Sequence, residues 1–328
     1  MNKIKLNSWG KFTDVDASQY DWKSIQELKT IITSNKSFIP SGNYRSYGDS
    51  AFSDHIINCK TNNNVISFDK SSGFLRVEAG ITLSEILSVV IPHGWFLGVT
   101  PGTKYSTLGG VIASDVHGKN HHINGCFSEY VSDIDLMLPS GSIVNLVKED
   151  ELFKATCGGM GLTGVIVSVT IRLVKIASTN INQVTIKTAS LSETFKIFEE
   201  YADETYSVAW FDGFSSGNTF GRSIVQIGDF STDGNLEFED QSIKFIPFKF
   251  FSFFLNKHLI RIFNFLYYTL TSAKKVRSKV HFTKFFYPLD KFSNWNKIYG
   301  KRGLIQYQFI LPIDKSFKGI KEIFSVIQ

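Results

Sequence analysis

Apolar and polar residues alternate along "VISFDKSSGFLRVEAG", and a Ser-Ser-Gly triplet at Ser71–Gly73 interrupts the alternation. That pattern predicts two strands joined by a tight turn. In "TLSEILSVVIPHG" the period lengthens to that of a helix. Thr82 stands where an N-cap belongs, Glu85 completes a capping box, and Pro92 with Gly94 ends the run. "YVSDIDLMLPSGSIVNL" reads as strand, turn and strand, turning at Pro139–Gly141, and "GVIVSVTIRLVKI" from Gly164 as a strand rich in β-branched residues. Beyond about Asn180 the pattern predicts a strand in "NQVTIKTAS", a helix in "LSETFKIFEEYADE", and strands in "YSVAWFDGF" and "FGRSIVQIGDF". The order is mixed α+β, without the regular βαβ alternation of a doubly wound sheet. A boundary near Ala177 divides the chain into residues 1–176 and 177–328.

Composition narrows the field. A length of 328 residues suits two domains, and a chain with 43% hydrophobic and 14% aromatic residues can bury a core. A formal charge of +5 is no nucleic-acid signature. Cys59, Cys126 and Cys157 are odd in number and far apart, which excludes a disulfide framework and any C-x-x-C pair. The start, "MNKIKLNSWGKFTD", lacks an apolar signal core, so a reducing cytoplasm is the simplest expectation.

The segment from about 241 to 289 has no acidic residue. Its Lys and Arg, among them Lys257, Arg261, Lys274, Lys275, Arg277 and Lys279, are interleaved with Phe and Tyr. Its longest uncharged run, Ile262–Ala273, is too short to span a bilayer. Two readings stay open: a surface for an anionic membrane, or a helical pair packed on the core with a solvated basic face.

Candidate chemistry gathers in glycine-rich loops. "SGNYRSYGDS" offers backbone N–H groups and Arg45 to an anion. "TPGTKYSTLGG" is a second such loop. "GGMGLTG", Gly158–Gly164, contains the spacing of a dinucleotide fingerprint. However, helix-like "ELFKATC" precedes it and a strand follows, the reverse of the Rossmann order, so it reads as a tight turn pressed against a neighbour. Three such loops, each beside a strand, suit a long ligand with a pyrophosphate and rings. "GGVIASDVHGKNHHING" places His117, Lys119, His121 and His122 at a strand's end. His117 and His121 are four apart, but Gly118 and Asn120 disfavour a helix and no third ligand follows, so a metal site is not expected. Neither G-x-S-x-G nor a G-K-[ST] loop occurs.

These loops, in this order, resemble the PCMH-type FAD-binding domain of the vanillyl-alcohol-oxidase-like flavoproteins, and most of all the decaprenylphosphoryl-β-D-ribose 2′-oxidase group. "RSYGDS", "PGTKYSTLGGVIASDVHGKNHH", "ELFKATCGGMGLTGVI", "VAWFD", "FYPLD" and "GLIQYQFILP" carry the likeness, which runs from about residue 35 to the last. The resemblance implies an α+β flavin domain over 1–176 and an α+β cap domain with an antiparallel sheet over 177–328. In that family the first loop wraps the FAD pyrophosphate, here Pro40 to Ser50 with Arg45, Ser46, Tyr47, Gly48 and Asp49. The second continues along it through Gly102, Thr103, Thr107, Gly109 and Gly110. Ser114, His117 and Gly118 reach the isoalloxazine, with Gly164, Val165 and Ile166 nearby. His117 and Lys119 are the implied catalytic pair, and Trp210, Gln306 and Gln308 the substrate-side residues.

The first loop has no histidine, which implies non-covalent FAD. The implied reaction oxidises a secondary alcohol of a polyprenyl-phosphate-linked sugar to a keto sugar, after which a short-chain dehydrogenase/reductase completes an epimerisation for cell-envelope polysaccharide. A basic aromatic region at 241–289 then fits the inner face of the plasma membrane. Two alternatives remain: an oxidase of a soluble polyol, and a non-catalytic fragment that keeps the fold. Family members continue beyond "IKEIFSVIQ", so the expectation is an incomplete cap, lacking a cysteine and a lysine that the family places beside the flavin.

Overall fold

The computed structural model describes residues 2–34, 37–239, 244–245, 255–271 and 274–327. The chain opens with a hairpin, β1 (Asn2–Asn7) and β2 (Asp14–Tyr20), that the sequence pattern did not signal. Helix α1 (Ile25–Ile32), capped by Ser24, leads to β3 (Ile39–Ser41) and β4 (His55–Asn58). These strands form one sheet in the order β1-β2-β4-β3.

The next sheet holds the predicted strands. β5 (Val65–Asp69) and β6 (Phe74–Glu78) turn at Gly73, whose φ of 77° is open to glycine at no steric cost. α2 (Leu83–Val90) has the expected reciprocal capping box between Thr82 and Glu85. It ends in a 3-10 turn at Ile91–His93 and a left-handed Gly94. β7 (Trp95–Leu97), α3 (Leu108–Ala113) and the single turn α4 (His121–Asn124) precede β8 (Val131–Met137) and β9 (Ile143–Val147). α5 (Glu151–Thr156) and the glycine turn then deliver the chain to β10 (Val165–Lys175). β10 lies between β6 and β8, in the order β5-β6-β10-β8-β9, with β7 on its far end. Along β10 the buried Val165, Val169, Ile171 and Leu173 alternate with Ser168 and Thr170, which hold Arg76, and with the exposed Arg172.

A separate antiparallel sheet follows: β11 (Asn180–Thr188), β12 (Tyr206–Phe211), β13 (Ser223–Phe230) and, after a two-residue β14 (Lys244–Phe245), β15 (Lys275–His281). Its order is β12-β13-β11-β15. α6 (Leu191–Glu200) and α7 (Lys257–Leu270) belong to this part, with α8 (Phe282–Phe286), β16 (Phe292–Ser293) and α9 (Ile313–Ile327).

Two expectations are corrected. Val111-Ile112-Ala113 is not the end of a strand: Thr107 caps Leu108–Ala113 as a helix, with Val111 and Ile112 buried beneath it. Among the described residues the basic segment is not a helical pair alone: Lys244 lies on β14, Lys257 and Arg261 on α7, and Lys275, Arg277 and Lys279 on β15, which pairs residue by residue with β11. Lys249, Phe248, Phe250, Phe251, Phe253, Phe254 and Ala273 lie outside the described residues.

The two halves share one core. Phe96, fully buried on β7, meets Phe230, Phe282 and Phe286 with ring centroids 5.0, 5.6 and 5.5 Å away. Tyr206 stands edge-on to Phe286 at 4.9 Å, and the Tyr287 hydroxyl shares a 2.6 Å hydrogen bond with Thr100. Each buried aromatic contributes about 1.5–3 kcal/mol by leaving water, and each well-oriented ring pair about 0.5–1.5 kcal/mol more.

Candidate functional site

The loops that the sequence set apart converge. The Asn43 side-chain amide donates to Tyr105 O at 2.7 Å, joining the first loop to the second. Met160 N donates to Ala113 O at 2.8 Å and Gly158 N to Ile112 O at 3.0 Å, seating the glycine turn on the end of α3. A Cβ on Gly161 would stand 3.0 Å from the Pro40 ring, so that turn also presses on the first loop. "GGMGLTG" is therefore a packing turn, as its flanking elements indicated.

A group with a pyrophosphate needs positive charge and room for backbone to approach. Arg45 is stacked 4.1 Å over Trp9 and 5.3 Å from Tyr105, and its buried Nε has no hydrogen-bond partner. Burial lowers the Arg45 pKa, against the charge of Asp290. Asp290 accepts from Lys104 N at 2.9 Å, and Lys104 is 2% exposed. Burial raises the Asp290 pKa, against the Lys104 amide, Thr103 and the charges of Lys104 and Arg45. Arg45 and Lys104 thus both act on the Asp290 carboxylate, which places two cations and one acid at the junction of the two loops. Gly48 and Gly102 face open space: a Cβ on either would meet nothing within 4 Å. The residues present fit FAD. The expected Ser46 is tied in from below by Trp9 N to Ser46 O at 2.9 Å, and Tyr47 lies 6.3 Å from Trp295.

The geometry also refines several sequence assignments. Gly109 N donates to Ala79 O at 2.8 Å and Gly110 N to Thr107 Oγ1 at 3.4 Å. Those amides are committed within the protein, and a Cβ on Gly109 would sit 3.1 Å from Ala79. Glycine is needed at 109 because the start of α3 lies against Ala79, just past β6. Gly164, at φ 152°, is pressed against Met137 O, which makes it the entry to β10 with Val165 and Ile166 buried behind it.

His117 follows Ser114 and the left-handed Asp115, whose carboxylate accepts from Ser128 N at 2.9 Å and Ser128 Oγ at 3.1 Å. That clamp fixes the bend, and His117 comes out exposed, with its backbone paired to Cys126. Its Nε2 accepts from the Gln308 side-chain amide at 2.6 Å. The expected catalytic histidine and one expected substrate-side glutamine therefore meet, although 191 residues separate them. Gly118 cannot carry a side chain, since a Cβ would strike Asn120 Oδ1 at 2.7 Å and Thr100 O at 3.0 Å.

Lys119 reaches the second half of the chain. Its amine donates to Phe285 O at 2.5 Å, at the end of α8, and sits 4.3 Å over the Phe285 ring. Burial lowers its pKa to about 8. Its carbonyl accepts from Ser207 N at 2.9 Å, so both ends of Lys119 clasp the second half. Trp210, three residues further along β12, stands edge-on to Tyr267 of α7 at 4.9 Å, and Gln306 is exposed in the segment before α9. His122 docks on the second half, its Nε2 bonding to Glu204 O at 3.0 Å, whereas His121 stays within the loop, 5.6 Å from the His117 ring. Among the described residues no group of three or more His, Cys, Asp or Glu side chains gathers in a metal-holding arrangement. Trp9, Lys104 and Asp290 were missed by sequence reading. "FYPLD" held the only signal for Asp290 and "TPGTKYSTLGG" the only one for Lys104, whereas nothing local marked Trp9.

Residues 22–147 match the FAD binding domain family. Decaprenylphosphoryl-beta-D-ribose oxidase of Mycolicibacterium smegmatis is 31% identical over 340 residues, covering 96% of this chain and 74% of that protein. L-gulonolactone oxidase of Mus musculus is 27% identical over 181 residues, covering 52% of this chain and 40% of that protein. D-arabinono-1,4-lactone oxidase of Kluyveromyces lactis is 25% identical over 157 residues, covering 46% and 30%. The chain thus spans about three quarters of the first relative and less than half of the other two.

Proposed function

Because this chain belongs to the FAD-binding oxidoreductases related to decaprenylphosphoryl-β-D-ribose oxidase, we propose that it oxidises a secondary alcohol of a polyprenyl-phosphate-linked sugar to a keto sugar. In this reading residues 1–176 hold FAD non-covalently and residues 177–328 cap its reactive face. A short-chain dehydrogenase/reductase then reduces the keto sugar to the epimer for cell-envelope polysaccharide, and the work is cytoplasmic.

When bound, FAD would supply the hydride acceptor for the alcohol carbon. The protein's part is to bind, orient and move one proton. Arg45 and the open backbone at Gly48 and Gly102 hold the pyrophosphate. His117 takes the hydroxyl proton at Nε2 once the substrate hydroxyl displaces the Gln308 amide from that lone pair. Gln308 fixes the imidazole with Nε2 unprotonated, and Lys119 holds the loop to the cap through Phe285. The observation that carries this reading is the 2.6 Å contact between His117 and Gln308, one residue from each half.

The test begins with the purified protein. It should be yellow, and acid precipitation should release the flavin into the supernatant. A colourless protein that takes up no added FAD would sink the proposal. His117→Ala should keep its flavin and lose about 100-fold or more in turnover of a lipid-linked sugar. Unchanged turnover removes His117 from the mechanism. Turnover of soluble polyols, with none on lipid-linked sugars, would move the substrate class.

A further inference from the structure

Helix α7 is attached by the wrong face for an ordinary core helix. Asn264, 9% exposed, points inward and donates from its amide to Asp212 Oδ1 at 2.7 Å. One turn later the Tyr268 hydroxyl donates to Thr188 O at 3.0 Å. Asp212 itself is buried and paired with Arg222 at 2.6 Å. The polar stripe therefore holds the helix to the protein. The apolar stripe, Leu259, Ile262, Phe263, Leu266 and Leu270, recurs at the spacing of one helical face and turns outward. Ile262 is 53% exposed, Phe263 61%, Leu266 48% and Leu270 77%.

A solvent-facing stripe of this size calls for an occupant. The surrounding charge selects it. Residues 241–289 contain nine Lys and Arg and no Asp or Glu; Lys274 and Lys279 are paired with Glu193 and Asp233 of other elements, and Lys257, Arg261, Lys275, Arg277 and Lys284 are exposed. A second copy meeting this face through a two-fold axis would set those cations against themselves. An anionic bilayer surface complements both the charge and the apolar stripe. Fourteen residues of helix extend about 21 Å, and no helix among the described residues is long and apolar enough to cross a membrane. A helix of that kind lies in the interface plane.

We infer that α7 is an in-plane anchor that seats the protein on an anionic phospholipid surface through Leu259, Ile262, Phe263, Leu266 and Leu270. The inference does not depend on which sugar is oxidised. Tyr267 on α7 touches Trp210 on β12, so the anchor also ties one strand of the cap to the membrane plane.

Co-sedimentation with vesicles tests the anchor. The full chain should pellet with phosphatidylglycerol-containing vesicles, stay in solution with pure phosphatidylcholine, and be released by salt. Leu266→Glu with Leu270→Glu should reduce the bound fraction by about tenfold or more, with an unchanged melting temperature. In a second measurement, Leu266→Trp should be quenched by phospholipids brominated on their acyl chains, beyond the quenching seen in the native protein. Three outcomes would overturn the inference: no binding to anionic vesicles, full binding by the double variant, or a native dimer that the double variant turns into a monomer without any change in vesicle binding. A lack of Trp quenching while binding persists would overturn the role of α7 and leave the charge alone as the cause.

Discussion

Helices α2 and α7 carry the same kind of amphipathic sequence and turn it in opposite directions. In α2, Leu83, Ile86, Leu87 and Val90 are fully buried against the β10 sheet, and Glu85 faces outward to complete the cap. In α7 the inward contacts are the buried Asn264 and the half-buried Tyr268, and Ile262, Phe263, Leu266 and Leu270 are exposed. Amphipathic spacing reveals that an apolar stripe exists. What covers it is decided by the partners available to the other face. Helix α2 meets an apolar sheet. Helix α7 meets the Asp212–Arg222 ion pair, and a buried carboxylate demands polar partners.

The sharpest way to break the contrast is truncation of one leucine in each stripe. Leu87→Ala should cost about 2–5 kcal/mol, because it leaves a cavity in a filled core. Leu266→Ala should stay within about 0.5 kcal/mol in solution, as a surface change does. Denaturant unfolding of both variants measures the difference, and equal losses would show that the α7 stripe is covered. Next in size, Asn264→Ala should cost about 1–3 kcal/mol, since it removes a hydrogen bond to a buried carboxylate. A loss smaller than that of Leu266→Ala would reverse the assignment of faces.

The smallest effect sits at the start of α2. Thr82→Ala should cost about 1 kcal/mol near neutral pH. Burial pushes the Glu85 carboxyl up, but hydrogen bonds from the Thr82 side chain and amide and from Asn63 outweigh it and hold it below its ordinary value of 4.5. A carboxylate held low stabilises the fold fully above that value and loses its contribution as pH falls through its folded pKa. The gap between Thr82→Ala and the native protein should therefore narrow in acid, as read from melting temperatures over a pH series. A constant gap would mean that Glu85 takes no part in the cap.

Features set by neighbours in the chain are legible in the sequence. The capping box of α2, the turns at Gly73 and Gly141, and strand β10 depend on spacing and glycine alone. Helix α3 is not legible there, since two glycines and a β-branched pair argue against a helix. The Thr107 cap and the seat on Ala79 decide it instead. Strand β15 is obscured because every second residue from Lys275 to Lys279 is basic, and only pairing with β11 makes it a strand. At the site, His117 and Gln308 both stand out in the sequence, and their contact is consistent with those choices. The direction of the Lys119 amine is hidden because it depends on Phe285, 166 residues away. Lys104 and Asp290 are hidden for the same reason: a buried charge is recognised by its partner, and the partner is distant in the chain.

The aromatic joint around Phe96 also bears on inheritance. Phe96 belongs to one half, whereas Phe230, Phe282 and Phe286 belong to the other. A chimera that joined residues 1–176 of this chain to the second half of a distant relative would have to match rings across that joint before any chemistry could be tested. A junction placed near residue 177 would cut across that joint.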